Sequence, residues 1–128
     1  SHFPDDFNEL PVLSFVIPDL GNDMHNLNLK GGETGAIQRA DQWLNDHLSA
    51  YVEWAKTHNS LFILTFDEDQ TRDTTKNRIL TFFNGPMVLP GEYRDSINHY
   101  HVLRTLEAMY HLSPSGDAKA AVIKTIWK

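Results

Sequence analysis

The chain contains no cysteine. Disulfide scaffolds, thiolate zinc sites and cysteine nucleophiles are thereby excluded, while the redox compartment stays open, because a chain without thiols suits a reducing or an oxidising one equally. It also lacks a long hydrophobic run. The longest, around residues 61–66, falls far short of the ~20 apolar residues that cross a bilayer, and the first residues show no basic region followed by an apolar stretch. No transmembrane segment is expected. Basic charge is scarce as well: 11 Lys and Arg stand against 17 Asp and Glu, giving a net charge of −6, and the basic residues are scattered along the chain. Phosphate backbones find no electrostatic footprint to grip, so nucleic acid is excluded as a partner.

What is present is the composition of a folded soluble protein. With 128 residues, 41% of them hydrophobic and 22% charged, the chain is long enough for one apolar core and too short for two ordinary domains. One unit, or one piece of a larger unit, is the expectation over residues 1–128.

Pro11-Val12-Leu13-Ser14-Phe15-Val16-Ile17-Pro18 is a nearly continuous apolar run bounded by prolines, the pattern of a strand buried on both faces. A polar, Gly- and Asn-rich stretch over residues 19–35 reads as loop. Ile37, Ala40, Trp43, Leu44, Leu48, Tyr51, Val52 and Ala55 then recur at spacings of three and four, which predicts a helix over residues 36–56. Leu61-Phe62-Ile63-Leu64-Thr65-Phe66 predicts a second buried strand, residues 70–77 a charged loop, and residues 78–83 a third strand. A last helix is expected over residues 98–110 with Leu103, Leu106 and Tyr110 inward, and the tail after Ser113 reads as loop. Strand, helix, strand in that order implies a parallel pair with a right-handed crossover, hence an α/β fold with a mostly parallel sheet flanked by helices.

Three polar clusters follow the predicted strands: Asp19, Asp23 and His25; Asp67-Glu68-Asp69; and Asn98-His99-Tyr100-His101. In open α/β sheets ligands bind beyond the carboxyl ends of the strands, so parallel strands would gather these groups on one edge. Carboxylates and imidazoles gathered there suit a divalent cation. Each cluster also has a plainer reading. Asp23 and His25 fit a solvated loop, Asp67-Glu68-Asp69 fits an acidic turn, and His99 and His101 fit helix caps. Asp67 abutting a buried strand needs a partner or a ligand to offset its desolvation. Gly31-Gly32-Glu33-Thr34-Gly35 lacks the spacing and the lysine of a phosphate loop and reads as capping and turning. Trp43 and Tyr51 read as core, with Trp54 off their stripe.

The segments Phe15-Val16-Ile17-Pro18-Asp19 leading to Asn22-Asp23-Met24-His25, Ala40-Asp41-Gln42-Trp43-Leu44, Leu64-Thr65-Phe66-Asp67-Glu68-Asp69, and Asn98-His99-Tyr100-His101-Val102-Leu103-Arg104-Thr105-Leu106-Glu107 resemble, in order and spacing, the phosphoesterase family of acid phosphatases and non-specific phospholipases C within the alkaline phosphatase superfamily. The resemblance covers nearly the whole chain, and residues 121–127 look like the usual end of that domain. It implies a carboxyl-terminal portion of an alkaline phosphatase-like domain that hydrolyses phosphate esters with a divalent metal ion. Phosphate esters are the implied substrates, including a phospholipid head group, the remainder of the same protein is the implied partner, and the implied location is secreted or periplasmic.

Residue by residue, the resemblance implies that Asp67 and Glu68 match an acidic pair of which at least Asp67 binds the metal. It matches His25 to a histidine facing the phosphoryl group, places Asp23 in the same motif, and gives His99 a supporting role. His101 stands where the family commonly has serine or another small polar residue. The family's Glu-Asn metal-binding pair and its Ser or Thr nucleophile at a helix start have no counterpart here, so the chain is expected to be an incomplete domain. The competing reading is a non-catalytic interaction fragment whose sheet is completed by a partner chain or a second copy.

Overall fold

The computed structural model describes residues 3–70, 76–116 and 120–128. The chain divides into two compact units, Ser1–Pro86 and Met87–Lys128. Among the described residues the architecture is a small α/β arrangement with two α-helices, α1 (Gly32–Ala55) and α2 (His99–Met109), and two strands, β1 (Phe62–Thr65) and β2 (Thr81–Asn84), preceded by a 3-10 turn at Phe7–Glu9.

In the first unit, α1 forms where the apolar spacing predicts and buries Ala36, Ala40, Leu48 and Ala55, with Trp43, Leu44, Tyr51 and Val52 half-buried beside them. Ile37, expected on this face, is exposed. The helix starts four residues before the predicted 36, because Gly31 at φ +95 supplies the left-handed turn into it and Gly35 packs against the loop behind. The rings of Phe3 and Phe7 meet Tyr51 edge-on at centroid distances of 5.9 and 5.5 Å, and Phe7 meets Trp54 at 5.6 Å. Trp54, read as lying off the stripe, thus joins this aromatic cluster, and its other neighbour is the stacked ring of His58 at 4.0 Å.

The sheet departs from expectation. β1 and β2 pair antiparallel, Phe62 opposite Asn84 and Thr65 opposite Thr81, with the Thr65 and Thr81 hydroxyls 3.2 Å apart. Asn84 Nδ2 donates to the carbonyl of Val52 at 3.0 Å and ties β2 to α1. Both strands are shorter than predicted, and residues 71–75 of the expected charged loop lie outside the described residues. Residues 11–18 form no strand: Val12, Phe15 and Ile17 are 78%, 81% and 83% exposed. A strand buried on both faces needs sheet neighbours and covering layers, and an apolar run alone does not make one. Among the described residues, the parallel pair of residues 11–18 with residues 61–66 is therefore not formed.

In the second unit, Leu89 N–H donates to the Ile126 carbonyl at 2.7 Å and Lys128 N–H to the Met87 carbonyl at 2.9 Å, around an antiparallel bridge of Val88 with Trp127. The end of the chain is thus held rather than loose, although residues 117–119 of the expected tail lie outside the described residues. α2 buries Thr105 and Glu107, while Leu103 and Tyr110, predicted inward, are exposed. Each of these two polar side chains bonds a later segment of the chain. The Thr105 hydroxyl accepts from Ile123 N–H, and Glu107 Oε1 accepts from both the backbone and the hydroxyl of Ser115, at 2.8 and 2.6 Å.

Candidate functional site

The first predicted cluster lies on a loop whose shape is set by short side-chain acceptors. Asp19 Oδ1 accepts from Gly21 N–H at 2.7 Å and from Asn22 Nδ2 at 3.1 Å, and the Asp19 carbonyl takes the N–H groups of Asn22 and Asp23. Asp23 Oδ1 then accepts from the backbone N–H of His25 at 2.9 Å, closing an Asx turn across Met24, which sits at φ +71. Asp23 is half-buried and the His25 ring is exposed. The two residues that the sequence joined in one motif are thus joined by a bond, with Asp23 fixing the backbone from which His25 projects.

A residue the sequence reading passed over holds this loop to α1. The Arg39 guanidinium donates to three backbone carbonyls, from Nε to Gly21 at 3.1 Å, from Nη2 to Asn26 at 3.3 Å and from Nη1 to Lys30 at 2.8 Å. These carbonyls bracket Asp23 and His25. Bonds from a charged donor are worth about 1.5–3 kcal/mol each when shielded, and less for the exposed one to Lys30. Gly35 permits the approach, since a Cβ there would run into the Lys30 carbonyl. An arginine on the polar face of the first helical turns, opposite a loop rich in Gly and Asn, was the signal available in the sequence.

The second cluster follows β1. Asp67 and Glu68 are exposed, and Asp67 Oδ1 accepts from Glu68 N–H at 3.0 Å. The desolvation expected to force a partner on Asp67 is therefore not felt in this chain. Asp69, by contrast, is half-buried and structural: its Oδ2 accepts from Arg78 N–H and its own N–H donates to Asn77 Oδ1, both at 2.9 Å, so it knots the turn after β1. Because β1 and β2 run antiparallel, their carboxyl ends leave the ladder at opposite ends. The expectation that every cluster follows a strand to one common edge does not hold for the route through β2.

The third cluster opens α2. Asn98 is its N-cap, its Oδ1 accepting from the N–H groups of Tyr100 at 3.1 Å and His101 at 3.3 Å, while Asn98 N–H donates to His101 Nδ1 at 3.1 Å. That reciprocal box makes His101 a capping residue. His101 Nδ1 also lies 2.8 Å from Asn98 Oδ1, so the ring is held against the cap from both groups of Asn98. His99 is the first helical residue and exposed.

Among the described residues, no three His, Asp or Glu side chains come together as a metal-binding group. Asp67 and Glu68 offer adjacent oxygen donors, the right chemistry for part of a hard-cation shell but not a whole one. No helix among the described residues is long and apolar enough to cross a membrane.

The model of the Phosphoesterase family matches residues 1–113. A phosphatidylinositol-3-phosphatase of Mycobacterium tuberculosis is 47% identical over 125 residues, covering 97% of this chain and 38% of that protein. A phosphate-repressible acid phosphatase of Penicillium chrysogenum is 32% identical over 126 residues, covering 93% of this chain and 28% of that protein. An acid phosphatase of Aspergillus fumigatus is 28% identical, with 97% of this chain and 28% of its own length covered. The chain thus spans well under half the length of these relatives. No solved structure matches it significantly.

Proposed function

Because the chain belongs to the Phosphoesterase family, we propose that the intact protein hydrolyses phosphate esters and that this chain supplies part of the site that holds the phosphoryl group. The likeness to the mycobacterial phosphatase over 97% of the chain carries this reading. The names of the three relatives favour a phosphomonoester, and that of the mycobacterial protein favours a phosphorylated inositol phospholipid head group.

In this proposal both units belong to one phosphoesterase domain completed by the remainder of the protein. Residues 11–18 become a strand beside β1 in a mostly parallel sheet, which would cover the apolar side chains now exposed there. A hydroxyl nucleophile from elsewhere in the protein attacks phosphorus. His25 donates hydrogen bonds to the phosphoryl oxygens or a proton to the leaving group, Asp23 fixes its backbone, and His99 supports the site. Asp67 and Glu68 contribute carboxylate oxygens to a divalent cation, an oxygen-rich pair that suits magnesium, calcium or manganese. When bound, that ion would neutralise charge on the phosphoryl oxygens. The same resemblance favours a location outside the cytoplasm, secreted or periplasmic.

The exposed run from Val12 to Ile17 favours a second reading, a non-catalytic fragment that docks on another chain. The full-length protein decides between them. It should hydrolyse 4-nitrophenyl phosphate and phosphatidylinositol 3-phosphate in vesicles, and Asp67→Ala should lose bound metal, measured by elemental analysis, together with several orders of magnitude in turnover. A full-length protein without phosphatase activity under any divalent metal would favour the docking fragment, and unchanged metal content in Asp67→Ala would remove Asp67 from the shell.

A further inference from the structure

The loop that carries Asp23 and His25 has no regular secondary structure, and its internal bonds are local, each spanning two to four residues. Such turns shape a loop without fixing where it sits, since nothing in them reaches the scaffold. Arg39 is what reaches. It stands on the second turn of α1, and its three donors meet carbonyls at the start, middle and end of the loop, at Gly21, Asn26 and Lys30. A planar guanidinium with a fixed fork of donors can hold three carbonyls at once, whereas a lysine ammonium on a flexible stem cannot hold the same three in place. The helix side of the contact is anchored, because Ala36, one turn before Arg39, and Ala40, next to it, are buried.

We propose that Arg39 is a positioning residue for His25, acting on the reaction through the loop it pins and not through contact with substrate. The inference rests on the reading of His25 as the group that faces the phosphoryl oxygens. A displacement of about 1 Å in a catalytic group costs on the order of 10²-fold in rate, and a loop released from three scaffold bonds moves at least that far.

The test uses the full-length protein with Arg39→Ala, Arg39→Lys, His25→Ala and the double variant His25→Ala/Arg39→Ala. Turnover is measured on 4-nitrophenyl phosphate, and hydrogen exchange is followed at the loop amides of Asn22, Asp23 and Leu27. Arg39→Ala should lower kcat by roughly 10–10²-fold with a smaller change in KM, speed exchange at those amides, and be partly rescued in Arg39→Lys. The double variant should be no slower than His25→Ala alone, because a residue that acts only by placing His25 has nothing to place once the ring is gone. Additive losses would overturn the proposal, as would parent-like turnover in Arg39→Ala while His25→Ala is impaired. If His25→Ala itself turns over like the parent, the reading of His25 fails instead, and unchanged exchange in Arg39→Ala would separately sink the pin. Should Arg39→Ala not fold, Arg39→Lys carries both measurements, an intermediate loss of kcat with faster exchange at the loop amides supporting the role and parent-like values of both overturning it.

Discussion

The hydroxyl of Thr105 accepts the backbone N–H of Ile123 at 2.9 Å and donates to the carbonyl of His101 at 2.7 Å. One buried side chain thus closes a helical turn of α2 and satisfies a donor from the last segment of the chain, 18 residues away. Thr105→Val keeps the shape and removes the acceptor, leaving the Ile123 N–H buried and unpaired at a cost of about 1–3 kcal/mol. Thr105→Ser keeps the bond and should lose far less. Denaturant unfolding of the two variants separates them, and equal losses would mean that the methyl group, not the bond, sets the stability.

Gly35 is buried where a Cβ would meet the Lys30 carbonyl. Gly35→Ala must push that carbonyl away, so the overpacking should destabilise by about 1–3 kcal/mol and weaken the Arg39 bond to the same oxygen. Thr34, one residue earlier, is exposed, and the helix N-cap is Gly31 with no side-chain cap bond. The sequence allowed Thr34 a capping role, and the structure gives it none. Thr34→Ala should stay within about 0.5 kcal/mol of the parent. Thermal melts of both variants check the contrast, which fails if Thr34→Ala is the more damaging change.

Helix α1 was legible because its apolar residues recur every three or four positions over about five turns, a signal that survives whatever packs against it. Its true start was not, since glycines at 31, 32 and 35 carry the composition of a loop while two of them serve the helix, one turning the chain into it and one letting Lys30 approach. The sheet was misread one step earlier. Treating residues 11–18 as a formed strand made β1 its parallel partner, but a two-sided strand depends on neighbours that lie far away in sequence or in other segments. Antiparallel pairing of β1 with β2 leaves no trace in either strand's own pattern. Of the site, Asp23 and His25 were legible as one motif though not as an Asx turn, whereas Arg39 was hidden because an arginine on a polar helical face is ordinarily solvated.

Glu107 is buried and its carboxyl is held below the ordinary glutamate value of 4.5, chiefly by the hydrogen bond from the Ser115 hydroxyl, with further help from the Ser115 N–H and the Arg104 charge against the opposing effect of burial. A depressed pKa in the folded state means that the unfolded chain binds the proton more readily. The stabilisation is fully present above the unfolded value and is lost as pH falls through the folded one. Asp6, held down mainly by the backbone N–H of Asn8, acts in the same direction. Glu107→Gln should therefore be less stable than the parent at pH 7, and the difference in Tm should shrink as pH drops below about 4.5. A constant difference from pH 7 to pH 3 would show that Glu107 does not titrate with unfolding.

The 128-residue chain by itself should hydrolyse a generic aryl phosphate no faster than buffer with metal. Phosphoryl transfer depends on groups held in place around the reacting phosphorus and on charge already arranged to meet it. The described residues gather no three-residue metal-binding group, Asp67 and Glu68 face solvent, and Thr34, the one hydroxyl at a helix start that invites the role of nucleophile, is exposed on the first turn of α1. Adding the remainder of the protein in trans should restore turnover and cover the apolar run from Val12 to Ile17, read as loss of binding of a hydrophobic dye. Activity in the isolated chain that disappears in Thr34→Ala would place the nucleophile on α1 and overturn the division of the site between this chain and the rest. Activity that survives Thr34→Ala but not His25→Ala would keep the phosphoryl-facing role of His25 and reject only the need for a hydroxyl from elsewhere.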